Sequence, residues 1–295
     1  EKNNFDFEKN FIHHLSSPLP YRRPNDQTPE QFCDFLLKEF ENKIEELGAE
    51  NVAAFIAEPV LASGGCIVPP EGYYKKIYDI CKKNEIIFIA DEVVTGFGRL
   101  GHFFSSEKVF GVIPDIITCA KGITSGYLPL GAVLFSDKLI SDLKHDSSLF
   151  FHGYTYSGHP ACCAAALKNI EILKRDKILE HVREIEPYFF NKLNTLYELP
   201  IVGDIRGKGL MAGIECVINK DSKEALVLDK AIGSRIDEES IKLGLIIRPL
   251  YHICVLSPAL IITKNQIDDL TEKLYQAISN TIEQLQKEGL WSNQK

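Results

Sequence analysis

The strongest constraint on the fold of this chain is a series of short strand-like segments set between helical stretches. Val52 to Ala57, Ile86 to Ala90, Asp115 to Ala120 and Leu130 to Phe135 are each too short for a helix. They are almost wholly apolar and lack the alternation of a half-exposed strand. Buried parallel strands covered by helices have this composition. Glu71 to Lys83 reads as a helix between two of them. Upstream, residues 1–27 carry Pro18, Pro20 and Pro24 and read as an extended approach segment. Thr28-Pro29-Glu30-Gln31 then opens a helix, with Thr28 as N-cap, proline in the first turn and Gln31 three residues after the cap. Phe32, Phe35, Leu36, Phe40, Ile44 and Leu47 mark its apolar face, and Gly48 ends it.

The second half has a different pattern. A helix rich in small residues (Ala161, Ala164, Ala165, Ala166) runs from His159 to Arg175, and a further helical stretch covers 176–197. After Pro200, strand-like pieces at 201–218 and 245–257 surround a helix near 223–243, and an amphipathic helix follows Thr263. The expected fold is therefore α/β. It has a large domain at 1–197 built on a mostly parallel sheet and a smaller C-terminal α+β domain at 198–295. A chain of 295 residues has room for both.

Composition narrows the function. A formal net charge of −8 argues against nucleic-acid and anionic-membrane partners. No apolar run reaches the length of a membrane span, and Glu1 to Asn10 is too polar for a signal peptide. The eight cysteines form no CxxC pair, and Cys162 and Cys163 are adjacent. They read as buried free thiols of a reducing, cytoplasmic compartment, with no metal site and no disulfide framework. His13 and His14 read as surface residues, and His159-Pro160 as a helix start.

Two charged residues stand at the carboxyl ends of apolar strands, Asp91 after Ile86–Ala90 and Lys121 after Asp115–Ala120. Ligands of open parallel α/β sheets bind outside those ends, so both charges are expected to face one crevice. A partly desolvated lysine amine condenses with an aldehyde. A carboxylate beside a pyridine nitrogen keeps that nitrogen protonated. Together they suit an electron-sink cofactor. Taken alone, the pair also reads as a salt bridge or as two solvated strand ends.

The residues around the pair add more. Ile89-Ala90-Asp91-Glu92-Val93-Val94-Thr95-Gly96-Phe97-Gly98-Arg99 and Pro114-Asp115-Ile116-Ile117-Thr118-Cys119-Ala120-Lys121-Gly122 resemble the signature of class III aminotransferases. The same order of motifs continues through Ala57-Glu58-Pro59-Val60, His152 to Pro160, Arg206-Gly207-Lys208-Gly209-Leu210, Arg248-Pro249 and Leu256-Ser257-Pro258. The resemblance implies a fold-type I transferase using pyridoxal 5'-phosphate, with small-molecule amine or ω-amino-acid donors and a 2-oxo acid acceptor such as pyruvate. It implies a homodimer with the active site at the interface. Lys121 would carry the cofactor and shuttle a proton, Asp91 would pair with the ring nitrogen, and Val93 would pack on the ring. Thr155 would bind the phosphate held mainly by the other subunit. Arg248 would take a substrate carboxylate, with Glu58 near the substrate end. Without the resemblance, Val93 reads as a core residue, Thr155 as a turn cap and Arg248 as half of a surface ion pair. The family also has a segment, ahead of the point where this chain begins, whose glycine-rich turn holds the cofactor phosphate. Ser63-Gly64-Gly65 lies in the wrong place to be that turn. An aminomutase or decarboxylase on the same scaffold, and a truncated non-catalytic paralogue, are the competing readings.

Overall fold

The structure, a computed structural model, describes residues 10–145, 150–225 and 232–292. The first helix, α1 (Pro29–Leu47), starts as its sequence dictates. Thr28 Oγ1 accepts the Gln31 N–H at 3.2 Å, and Gln31 Oε1 accepts the Thr28 N–H at 2.8 Å. This closes a capping box that satisfies two amides with no partner inside the helix. Gly48, at φ +78°, turns the chain out of the helix in a conformation that disfavours a side chain. Phe32, Leu36, Phe40 and Ile44 form the buried stripe, while Phe35 sits at its margin, half-exposed and stacked on Phe32.

Next come β1 (Ala54–Ala57), α2 (Tyr73–Lys83), β2 (Ile87–Asp91), the single-turn α3 (Ser105–Lys108), β3 (Ile116–Cys119) and β4 (Ala132–Phe135). The four strands form one sheet in sequence order. β1, β2 and β3 are parallel, and β4 is antiparallel to β3. The reversal has a local cause. The link from Cys119 to Ala132 contains one 3-10 turn and no crossover helix, so the chain cannot return to the far end of the sheet.

Helices α1 and α2 cover one face. Phe40 packs on Phe55 with ring centroids 5.0 Å apart, and Tyr74 meets Phe88 edge-on at 5.1 Å. The register puts Ile56, Ile89, Ile116, Asp91, Thr118 and Val133 on the opposite face. There Ile56 is 60% exposed and Val133 54%.

After α4 (Asp137–His145) come two longer helices, α5 (Pro160–Arg175) and α6 (Ile178–Leu193). The C-terminal region holds β5 (Val202–Lys208), β6 (Met211–Asn219), β7 (Glu224–Ala225), α7 (Ile232–Lys242), β8 (Arg248–Leu250), β9 (Ile253–Leu256) and α8 (Lys264–Lys287). Its sheet has the order β5-β6-β9-β8, all antiparallel, with β7 beside β6. Thr263 and Gln266 repeat the capping box at the start of α8. The core here joins Phe189 and Leu193 of α6, Ile214 of β6, Cys254 of β9 and Leu274 and Ile278 of α8, all fully buried. We propose 1–197 and 198–295 as the two parts of the chain, with α6 reaching across the division to pack on the second core.

An ion-pair cluster ties the approach segment to this sheet. Glu215 on β6 is 1% exposed and accepts from Arg22, at 2.8 Å from its Nε, and from Arg206, which also binds Asp204 at 2.8 Å. Arg206 Nε donates to the Gly65 carbonyl at 2.8 Å. All eight cysteines are free thiols, seven of them buried. No described helix is long and apolar enough to cross a membrane, and no group of three or more His, Cys, Asp or Glu among the described residues is placed to hold a metal.

Candidate active site

Asp91 is the last residue of β2, paired in register with Thr118 of β3. Its Oδ1 accepts the Val93 N–H at 3.0 Å, which fixes the carboxylate against the turn that follows. That turn is held by Glu92, which is fully buried. Glu92 Oε2 accepts from Thr95 Oγ1 (2.7 Å), Ser105 N (3.0 Å) and Ser105 Oγ (2.8 Å), and Oε1 accepts from Ser106 N at 2.7 Å and from Ser106 Oγ. A buried carboxylate is tolerable when its lone pairs are met in this way.

Lys121 lies just past β3 and opens the 3-10 turn Lys121–Thr124, with its side chain exposed. Its φ is +41°, a left-handed conformation that costs a residue with a Cβ about 1–3 kcal/mol and persists only where the surroundings enforce it. Gly122 meets the Gly96–Phe97 bend so closely that a Cβ there would stand 2.9 Å from the Phe97 Cβ.

The candidate residues fall on two cavities. One, of about 1060 Å³, is lined by Glu58 and Asp91 together with β1 and the approach segment from Asn10 to Pro18, including His13 and His14. The other, of about 1080 Å³, is lined by Lys121 and Arg248 along with Ser63, Arg99 and Tyr127. Glu58 links the two electrostatically. Burial pushes its carboxyl above the usual range, a hydrogen bond from Ala62 N (3.0 Å) counteracts this, Asp91 raises it further and Lys121 lowers it. Arg248, at the start of β8, is exposed and forms no ion pair among the described residues. Arg99 is held by Nη1 donating to the Leu210 and Pro258 carbonyls, both at 2.7 Å, and burial lowers its pKa to about 10.

Val93 is half-buried and lines neither cavity. Thr155 is exposed in the segment before α5, among Phe151 (97% exposed), Tyr154 and Tyr156. Sequence reasoning passed over Glu92, Arg99, Ser63 as a cavity residue, and Asn169. The first two stand inside the quoted motif beside Asp91, where adjacency was the available signal. Asn169 had none, because its contacts lie 46 and 47 residues away.

Comparison with known proteins agrees with this geometry. The chain is 44% identical over 266 residues to a putrescine–pyruvate aminotransferase of Pseudomonas aeruginosa, covering 90% of this chain and 58% of the relative. Its structure is similar to that of an (S)-enantioselective omega-transaminase from Thermomicrobium roseum, with TM-score 0.90 and 40% identity over 95% of this chain and 63% of that one. It is also similar to a PLP-bound amine transaminase from an uncultivated Pseudomonas species, with TM-score 0.86 and 38% identity over 90% of this chain and 61% of that one. The chain thus spans about three-fifths of the length of the relatives it matches. The architecture is that of the fold-type I transferases. Asp91 and Lys121 stand at neighbouring strand ends but line different cavities, not the one crevice that the strand ends suggest. Residues 2–278 match the family described as aminotransferase class III, and the chain belongs to that family.

Proposed function

We propose that this chain contributes the lysine and the ring-binding carboxylate of a pyridoxal-phosphate-dependent transaminase, transferring an amino group from an amine or ω-amino acid to a 2-oxo acid such as pyruvate. One observation carries the reading. Asp91 and Lys121 stand at the carboxyl ends of adjacent parallel strands, and Glu58 responds to both charges. A carboxylate and an amine at neighbouring strand ends are the two kinds of group that the ring nitrogen and the aldehyde of the cofactor require. When bound, that cofactor supplies the electron-withdrawing ring that makes the substrate's α-proton acidic.

The chain's own groups do the rest. Asp91, oriented by the Val93 amide, keeps a proton on the ring nitrogen by charge-assisted hydrogen bonding. The Lys121 amine moves the proton at the substrate carbon. Arg248, in the same cavity as Lys121 and without an ion pair among the described residues, is available to grip a carboxylate with two parallel hydrogen bonds. Glu58 lies towards the substrate, while Val93, which lines neither cavity, acts through its amide on Asp91. Thr155 donates its hydroxyl to the phosphate across a homodimer interface. The exposed aromatic side chains around it support that placement, since apolar patches of this kind mark association surfaces. A cytoplasmic location agrees with the free thiols.

The test is to add pyridoxal phosphate to the chain, reduce with borohydride and locate the labelled lysine by peptide mass spectrometry. Label on Lys121, absent from Lys121→Ala, is the expected result. Label spread over other lysines, unchanged in that variant, would remove Lys121 from its role. Pyruvate-dependent consumption of an amine donor distinguishes transamination from aminomutase or decarboxylase chemistry, which needs no acceptor.

A further inference from the structure

The Lys121 turn is strained at both ends, with Lys121 at φ +41° and Ser125 at φ +50°. Such a turn keeps its shape only if neighbours hold it. On one side the Gly96–Phe97 bend presses on Gly122. From the other side comes one side chain, Asn169 of α5. Its Nδ2 donates to the Gly122 carbonyl at 2.8 Å and to the Ile123 carbonyl at 3.1 Å, and its Oδ1 accepts from Ser125 Oγ at 2.7 Å. The amide has one workable orientation, because exchanging its O and N would set an oxygen against two carbonyls. Inside the turn, Ile123 N donates to Ala120 O at 3.0 Å and Thr124 Oγ1 to Leu128 O at 2.6 Å. Asn169 and Ser125 both line the cavity that contains Lys121.

We propose that Asn169 is a positioning residue for Lys121: it clamps the turn so that the amine is aimed at the reacting carbon. The proposal rests on the reading of Lys121 as the cofactor lysine. An asparagine fits where other residues fail. Aspartate would keep the acceptor for Ser125 but turn an oxygen towards the Gly122 and Ile123 carbonyls, and alanine would leave both carbonyls without this donor. Helix α5 also follows directly from the exposed segment that carries Thr155.

The experiment uses the full chain with pyridoxal phosphate. It compares the wild type with Asn169→Ala, Asn169→Asp and Ser125→Ala. The readouts are the pH midpoint of the bound cofactor's visible absorbance, the rate of the amine half-reaction and hydrogen exchange of the 121–125 amides. Both Asn169 variants are expected to shift the absorbance midpoint and slow the half-reaction by about 10-fold or more, the scale of a small misplacement of a reacting group. Ser125→Ala, which keeps both carbonyl bonds, should stay within about 3-fold on the same scale. An unshifted midpoint with a wild-type rate in Asn169→Ala overturns the proposal. If the Asn169 variants do not fold, the wild-type chain decides: Ile123 and Ser125 amides protected like those of α5 support the clamp, and exchange as fast as in an exposed loop overturns it. Borohydride label away from Lys121 in the wild type would defeat the functional reading itself, and the exchange result would still report on the clamp.

Discussion

In the C-terminal sheet Ile214, Cys216 and Cys254 are fully buried, closed in by α6, α7 and α8. In the first sheet Phe88 and Ala90 are equally buried on the α1–α2 face, yet Ile56 and Val133 on the other face are more than half exposed. The chemistry divides in the same way. Asp91, Lys121 and Glu58 belong to the open sheet, and Arg248 alone comes from the closed one. The second sheet is buried on both faces, by α6, α7 and α8 on one and by Val60, Cys66 and Leu100 on the other. The first sheet, in a chain that spans about three-fifths of its relatives' length, is packed on its α1–α2 face and exposed on the other.

The largest expected effect tests the closed side. Phe189 is fully buried between α6, the sheet and α8. Phe189→Ala should destabilise the chain by about 3–5 kcal/mol in denaturant unfolding, through lost transfer energy and the cavity left behind. A cost below about 1 kcal/mol, the level of an exposed site, would mean that this core is not the stable one.

Next is the pH dependence of the Glu215 cluster. Burial raises the Glu215 carboxyl, but hydrogen bonds and charge from His252, Arg206 and Arg22 outweigh it and bring the pKa from 4.5 down to about 2. A depressed carboxylate stabilises the fold fully above its unfolded pKa. Here that contribution is about 3 kcal/mol at neutral pH, lost as the pH falls from about 4.5 towards about 2. The denaturant midpoint should drop between pH 5 and pH 3, and Glu215→Gln should flatten that slope while lowering stability at neutral pH. An unchanged slope in Glu215→Gln would assign the acid sensitivity to other carboxylates.

How much of this was legible in the sequence depends on the distance over which each feature is determined. Both capping boxes, at Thr28 and Thr263, are written within four residues, and the local pattern identifies a helix start. The charged ends of β2 and β3 were legible because an Asp or Lys after an apolar run stands out. The antiparallel direction of β4 was not, since an apolar run carries no sign of direction; the missing crossover helix decides it. The packing of α6 on the second core and the clamp of Asn169 on the Lys121 turn depend on contacts far apart in the chain, and in α5 an asparagine reads only as a weak helix former.

Arg248 tests the meeting of the two regions, since the closed sheet delivers it into the cavity that holds Lys121. Arg248→Ala should cost pyruvate turnover about 2 kcal/mol of transition-state binding, the worth of a charge-assisted pair. The half-reaction with a donor that has no carboxylate should change much less. Equal loss in both half-reactions would make Arg248 a structural residue of β8, and the closed region would then contribute nothing to the chemistry.

The smallest expected effect is the most direct probe of the open face. Ile56 lies on β1 across from Ile89, 60% exposed, on the face that α1 and α2 leave uncovered. Threonine keeps the branched Cβ that a strand favours and exchanges an apolar group for a hydroxyl. If the face meets water, Ile56→Thr changes unfolding stability by no more than about 0.5 kcal/mol, because no packed neighbour is lost and the hydroxyl stays hydrated. Phe88→Ala, on the opposite face of the adjacent strand, should cost about 3–5 kcal/mol in the same measurement. The ratio of the two effects reports the asymmetry of the sheet directly. A cost of about 2 kcal/mol or more at Ile56, rising with protein concentration, would show that a second copy buries this face in solution. The same cost without concentration dependence would mean that the chain covers the face itself, and the contrast between the two sheets would fail.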